Sequence, residues 1–272
     1  MRTPFNIALI LASSIVVSCQ KDRPAPLAAP SSIASAPRLI LKFKLDSTQV
    51  RLNNLGQTSV IPPGHGAQSP RFNAISAHYV EFAPTAFTPL GGGDVVYQGP
   101  ETTAGGANAI DFAQESLAAN GGAFLDLPLS DLAPGTYQWL RVSLAYQNYD
   151  VKFSYTDTVF GLGALGLTGT VASFIGFNTY IGAFTVGQQQ VAVNGNRAQG
   201  YWAFEVHDPP VPLAPFSGQA PPGATTVVNP IFATSPIPAG SGVATGAFAQ
   251  PLTITGNETQ DVTITVSVST IE

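Results

Sequence analysis

The sequence predicts an all-β protein, an antiparallel β-sandwich or open barrel with at most one short helix. Three observations predict it. Apolar and polar residues alternate with a period of two along many short stretches, as strands with one wet face require. Turn residues separate those stretches, and Gly (27) and Pro (23) both exceed average usage. Charged residues make up only 10 % of the chain, which suits strands and turns better than surface helices.

Taken in order, the first nineteen residues read as an export leader. Arg2 is followed by an uncharged run from Ile7 to Val17, which ends in Val16-Val17-Ser18-Cys19. A hydrocarbon core takes about 20 apolar residues to cross, so this shorter run is expected to be a removed signal peptide, residues 1–18. The ending resembles the lipobox of bacterial lipoproteins, and the resemblance implies that Cys19 carries lipid and becomes the mature N-terminus. Cys19 is the only cysteine, so the exported body has no disulfide and no thiol nucleophile or ligand. Acyl chains worth about 0.8 kcal/mol per buried methylene would hold it stably on a bilayer. Gln20 stands where inner-membrane lipoproteins typically carry Asp, which favours the outer membrane, on its periplasmic or cell-surface side. Residues 19–37 are expected to be a lipidated tether rich in Pro, Ala and Ser, with prolines at 24, 26, 30 and 37. Residues 38–272 are expected to form the β-sandwich domain.

Within that body, Leu39, Leu41, Phe43 and Leu45 share one face of residues 38–45, with Lys42 and Lys44 on the other. Near the end, Val262, Ile264, Val266 and Val268 alternate with Thr263, Thr265, Ser267 and Ser269. Further strands are predicted at residues 77–82, 95–98, 124–129, 137–146, 151–155, 184–193, 200–206, 225–232 and 252–255. Residues 110–120 read as the one short helix, capped by Asn108 or Asp111 and stopped by Asn120-Gly121-Gly122. The stretch 159–186 is uncharged and long enough to suggest a membrane helix. Its glycines at 161, 163, 166, 169, 176 and 182 weaken a helix, so two buried strands with a Gly-rich turn are expected instead. Gly161-Leu162-Gly163-Ala164-Leu165-Gly166 matches GxGxxG, but the next acid is as far off as Glu205, and the dinucleotide reading is rejected. Prolines at 209, 210, 212, 215, 221 and 222 forbid a continuous ladder, which makes residues 208–223 a long loop before the last strands return to the sandwich.

The formal charge of −5 becomes −6 when Arg2 leaves with the leader, and no run of like charge occurs, which excludes nucleic acid as a partner. The chain contains no GxSxG, GxxxxGK[ST] or HExxH motif. Its three histidines are His65 in Pro62-Pro63-Gly64-His65-Gly66, His78 on a predicted strand, and His207 beside Asp208. Imidazole suits copper or zinc. If a metal binds, His78 is the first ligand expected, completed by His65 and His207. Ala77-His78-Tyr79-Val80-Glu81, and Ala133-Pro134-Gly135-Thr136-Tyr137 leading into residues 140–146, resemble the MbnP-like envelope proteins. That resemblance implies a β-rich fold and, as in some of those proteins, copper held by histidine. A rival site is aromatic: Trp139, Tyr146 and Trp202 are candidates to stack on sugars or anchor a partner protein. The expected function is that of a lipid-anchored, non-catalytic β-sandwich protein for binding or assembly at the outer membrane, with an envelope protein or a glycan as partner. A copper-binding envelope protein is the alternative, and a hydrolase the third reading.

Overall fold

The computed structural model describes residues 36–53, 57–157, 162–207, 209, 213–224 and 242–268, which belong to one compact unit, Ala36–Glu272. The strands among them begin with β1 (Arg38–Leu45), β2 (Arg71–Ala83), β3 (Asp94–Gln98), β4 (Glu101–Thr102) and β5 (Ala109–Asp111). Next come β6 (Ala123–Pro128), β7 (Gly135–Asp157), β8 (Leu162–Phe174), β9 (Asn178–Thr185) and β10 (Gln190–Ala198). The last are β11 (Tyr201–Val206), β12 (Phe216–Gln219), β13 (Val243–Ile254) and β14 (Val262–Val268).

Everything is organised around β7, 23 residues long. One of its edges carries β2, antiparallel from Arg71↔Asp150 to Ala83↔Trp139, with β3 beyond. The other edge is shared. β13 pairs with its first part, up to Ser143, and β8 with its second part, from Tyr146 onward. β11 and β12 extend the sheet past β8. Among the described residues two smaller sheets stand apart from it, β14-β1-β6 and β10-β9-β5-β4, and no sheet closes into a barrel.

Two apolar clusters follow from this layout. In the first, Leu39, Leu41 and Phe43 of β1 pack with Val80 and Phe82 of β2 and Leu140 and Val142 of β7. In the second, Tyr146 of β7 and Phe174 of β8 pack with Ile181 and Phe184 of β9 and Tyr201 of β11. Phe174 lies 4.9 Å from both Tyr146 and Phe184, centroid to centroid, in the tilted and edge-on arrangements that aromatic quadrupoles favour. Burying each such side chain contributes about 1.5–3 kcal/mol. The architecture is thus the all-β, largely antiparallel sandwich the alternation predicts, with one long sheet carrying two cores side by side.

Several elements differ from the sequence reading. Residues 137–146 and 151–155 are one strand, β7, because the polar residues between them are satisfied: Asn148 Nδ2 donates to the Val186 carbonyl at 2.8 Å. Residues 184–193 are not one strand but the end of β9, a turn at 186–189 and the start of β10. Residues 110–120 contain no α-helix. β5 ends there in a single 3₁₀ turn, Phe112–Gln114, capped by Asp111, and Ala118 then exchanges two backbone bonds of 2.9 Å with Ile75, which holds the chain extended. The stretch 159–186, by contrast, agrees with that reading: it supplies two strands, β8 and β9, and the described part of its GxGxxG run lies on a strand rather than at a strand-to-helix turn. At the crossover between them a Cβ on Gly176 would meet Ile110 Cδ1 at 2.4 Å, so the two layers approach there as only glycine allows. Phe216–Gln219, expected to be loop, pairs with β11 as an edge strand directly after Pro215. Residues 225–232 lie outside the described residues. Among the described residues no helix is long and apolar enough to cross a membrane.

Candidate functional site

Strand register places Arg71 opposite Asp150, Asp150 opposite Thr170 and Thr170 opposite Glu205, a polar row across β2, β7, β8 and β11. Asp150, itself buried, accepts from Arg71 Nε at 3.0 Å, from Arg71 Nη2, from Asn73 at 2.8 Å and from the Thr170 hydroxyl at 2.8 Å. Burial opposes its charge, but the bonds from Arg71, Asn73 and Thr170 outweigh it and hold the carboxyl below the usual Asp range. The Thr170 hydroxyl also lies 2.7 Å from His207 Nε2. An ionised Asp150 only accepts, so Thr170 donates to it and accepts from His207, which puts the imidazole proton on Nε2. A nucleophilic triad needs the opposite order, with the hydroxyl handing its proton to an imidazole backed by the carboxylate. Carboxylate, hydroxyl and imidazole come together here in an order that does not activate the hydroxyl, and Thr170 is buried.

Beside this row lies an open groove of about 800 Å³, lined in part by Gln68, Arg71, Asp150, Lys152, Thr168 and His207. A shallower depression of about 390 Å³ continues from it, sharing Lys152, Gly166, Leu167 and Thr168 and adding Phe153 and Ser154. The Gln68 side chain bridges the Lys152 backbone in both directions, at 2.9 and 3.0 Å, and so fixes the outer edge of β7 at the groove.

His78 occupies a different place. A shift of register at Ala77 lets it lie buried in β2 between Ala77 and Val80 of the first core, while its partners come from β4 and the segment after the 3₁₀ turn. Nε2 is 2.9 Å from Glu101 Oε1, and Nδ1 faces the fully buried Glu115 Oε1 at 3.6 Å, an electrostatic approach rather than a formed hydrogen bond. Ser76 Oγ donates to the other Glu115 oxygen. Burial alone would lower the imidazole pKa, but Glu115 and Glu101 outweigh it and the net shift is upward, toward a charged imidazolium. Glu101 is held below its usual value, first by a bond from Asn108 and then, against the cost of burial, by His78.

His65 is exposed in a turn closed by its own amide on the Pro62 carbonyl, 3.1 Å away. The structure therefore does not join His65, His78 and His207 into one ligand set. The copper that the resemblance implies is not fitted by these residues. The two ring nitrogens of His78 face separate carboxylates, His207 Nε2 faces Thr170, and among the described residues no group of three or more His, Cys, Asp or Glu is placed to hold a metal ion. Of the candidate aromatics, Tyr146 is corrected to a core residue, 3 % exposed and stacked on Phe112 and Phe174 at 4.9 Å. Trp139 is half-buried on β7. Trp202 is 38 % exposed, its ring lying over Gly218 of the edge strand, where a Cβ would come within 3.1 Å. Cys19 lies outside the described residues.

Two buried charges escape a reading of the sequence. Glu81 and Arg141, opposite each other on β2 and β7, approach to 3.5 Å. Glu81 accepts from Tyr79 and from the amides of Gly91 and Gly93, at 3.0, 3.2 and 2.7 Å, while Arg141 donates to the carbonyls of Ala86, Thr88 and Pro89. Together they fasten residues 84–93 onto the outer face of the sheet. Glu205 accepts from the amides of Gly187, Gln188 and Gln189 at 2.8 to 3.1 Å. Burial opposes its charge, and those amides more than offset it, so its pKa is lowered. Glu205 was visible as an acid on the inward parity of Tyr201 and Ala203, whereas the Glu81–Arg141 pair appears only once register is known. No family model, curated protein or solved structure matches this chain.

Proposed function

We propose that the protein is a lipid-anchored protein of the outer membrane whose β-sandwich body binds a ligand, without catalysis, in the groove beside β7 and β8. The observation that carries this reading is the fixed polar row at that groove. Arg71, Asp150, Thr170 and His207 hold one another in place, and the single hydroxyl among them is oriented away from nucleophilic use. Such a row is a rigid platform for recognition, as binding sites on strands require. The anchor follows from the lipobox-like ending at Cys19, and two or more acyl chains make attachment durable.

The test has two arms. Replacing Cys19 by Ala is expected to move the protein from the outer-membrane fraction to the soluble fraction and to remove the mass of the lipid from the mature N-terminus. Unchanged membrane association, or a native mass without lipid, would overturn the anchor. For the body, nuclear magnetic resonance titration of the full-length protein against envelope glycans is expected to shift resonances around Arg71, Lys152 and His207. Shifts clustered elsewhere would place binding away from the groove.

A further inference from the structure

We infer that the groove takes an acidic saccharide, a sugar chain carrying carboxylates, with Lys152 and Arg71 as the residues that read its charge. This rests on the reading of the groove as the binding site. Between Arg51 and Arg197 the chain has three basic residues, Arg71, Arg141 and Lys152. Arg141 is buried on the opposite business of holding residues 84–93. The other two both line this groove, on a protein whose overall charge is negative.

Their states differ in a useful way. The Arg71 side chain is 78 % exposed, and its Nε and Nη2 are held by Asp150, so the guanidinium is oriented while its outer edge faces solvent. Lys152 is exposed, its backbone pinned by Gln68, and no ion pair binds its ammonium among the described residues. The acid in the lining, Asp150, is consumed by Arg71, Asn73 and Thr170. An oriented guanidinium and a free ammonium select an oxyanion. The remaining lining suits the rest of a sugar. Ser69 and Thr168 in that lining carry hydroxyls that can meet those of a sugar. The openness of the groove and its continuation into the second depression fit an extended, hydrated chain of several rings better than an enclosed apolar molecule.

The probe is a galacturonate trimer, compared by calorimetry with its fully methyl-esterified counterpart, which keeps the skeleton and loses the charge. The full-length protein is expected to bind the charged trimer at least tenfold more tightly, and the difference should shrink as salt is raised. Lys152→Glu is expected to weaken the charged trimer tenfold or more without shifting the melting temperature, since the side chain is exposed. Gly166→Trp fills the groove from a position where a Cβ meets nothing within 4 Å, and is expected to abolish binding of either trimer. Equal affinity for the two trimers, or no binding of the charged one, would overturn the acidic-saccharide assignment while leaving the groove as a site for another ligand. Charged-trimer binding untouched by both Lys152→Glu and Gly166→Trp would overturn the groove itself.

Discussion

His78 shows how one residue ties the two halves of the sandwich and makes their union depend on pH. Its imidazole sits between Glu101, on the sheet that covers the second core, and Glu115, while its backbone runs through the first core. Because its pKa is raised in the folded chain, its contribution is fully present below the unfolded value of about 6.5 and is lost as pH rises through the folded value. Glu101, lowered, contributes above its unfolded value and loses that contribution as pH falls through the folded one. The clamp is therefore strongest in mildly acidic medium. His78→Gln is expected to cost on the order of 1–3 kcal/mol near pH 5.5 and markedly less near pH 9, read from urea midpoints. Equal costs at the two pH values would show that the imidazole is not acting as a cation. The Glu81–Arg141 pair belongs to the same scale but answers differently: removing either partner leaves a buried charge alone, which typically costs about 3–5 kcal/mol.

Individual strands announce themselves by alternation, and here β1 and β14 did, because each has one apolar and one wetter face along its length. β7 is less transparent. Asn148 and Asp150 interrupt its apolar pattern, and only their partners on neighbouring strands explain why the strand continues. β8 reads as a strand in spite of its glycines, of which Gly169 lies under the Phe204 ring with no room for a Cβ, 2.4 Å away. The groove was half visible: His207 stood out as a rare residue, but Arg71, Asp150 and Thr170 meet it through register, and register is a property of paired strands rather than of one segment. The turn from β9 to β10 gives the sharpest test at this scale. Glu205 reaches across from β11 to gather three amides of that turn, so Glu205→Gln replaces a charged acceptor by a group that is half donor. The expected cost is about 2 kcal/mol, with faster hydrogen exchange at Gly187, Gln188 and Gln189 and unchanged exchange on β1. Unaltered exchange in the turn would mean the carboxylate does not order it.

At the scale of the molecule, β2 and β7 contribute to both apolar clusters, since Phe82, Leu140 and Val142 belong to the first and Ala74 and Tyr146 to the second. Two cores that share strands are expected to melt together. Phe82→Ala and Phe174→Ala, one in each cluster, should each lower the same single transition, by about 3–5 kcal/mol. Calorimetry resolving two transitions, each sensitive to only one substitution, would refute this coupling. The parallel partnership of β1 with β14 reaches further still. Leu39 meets Val262, and the Arg38 amide donates to Asp261, across a separation of 223 residues. A ribosome adding about 5–20 residues per second makes the second partner roughly 10 to 45 seconds after the first. Throughout that interval one whole edge of β1 lacks the ladder it will finally have, and Val262, Ile264 and Val266 are missing from the packing around the first core. Contacts this distant fold slowly and leave sticky strand edges exposed meanwhile. Chain order thus sets a vulnerable period between the appearance of β1 and that of β14, in which a chaperone that shields strand edges has most to offer, and loss of residues 262–268 is expected to leave β1 without its parallel partner.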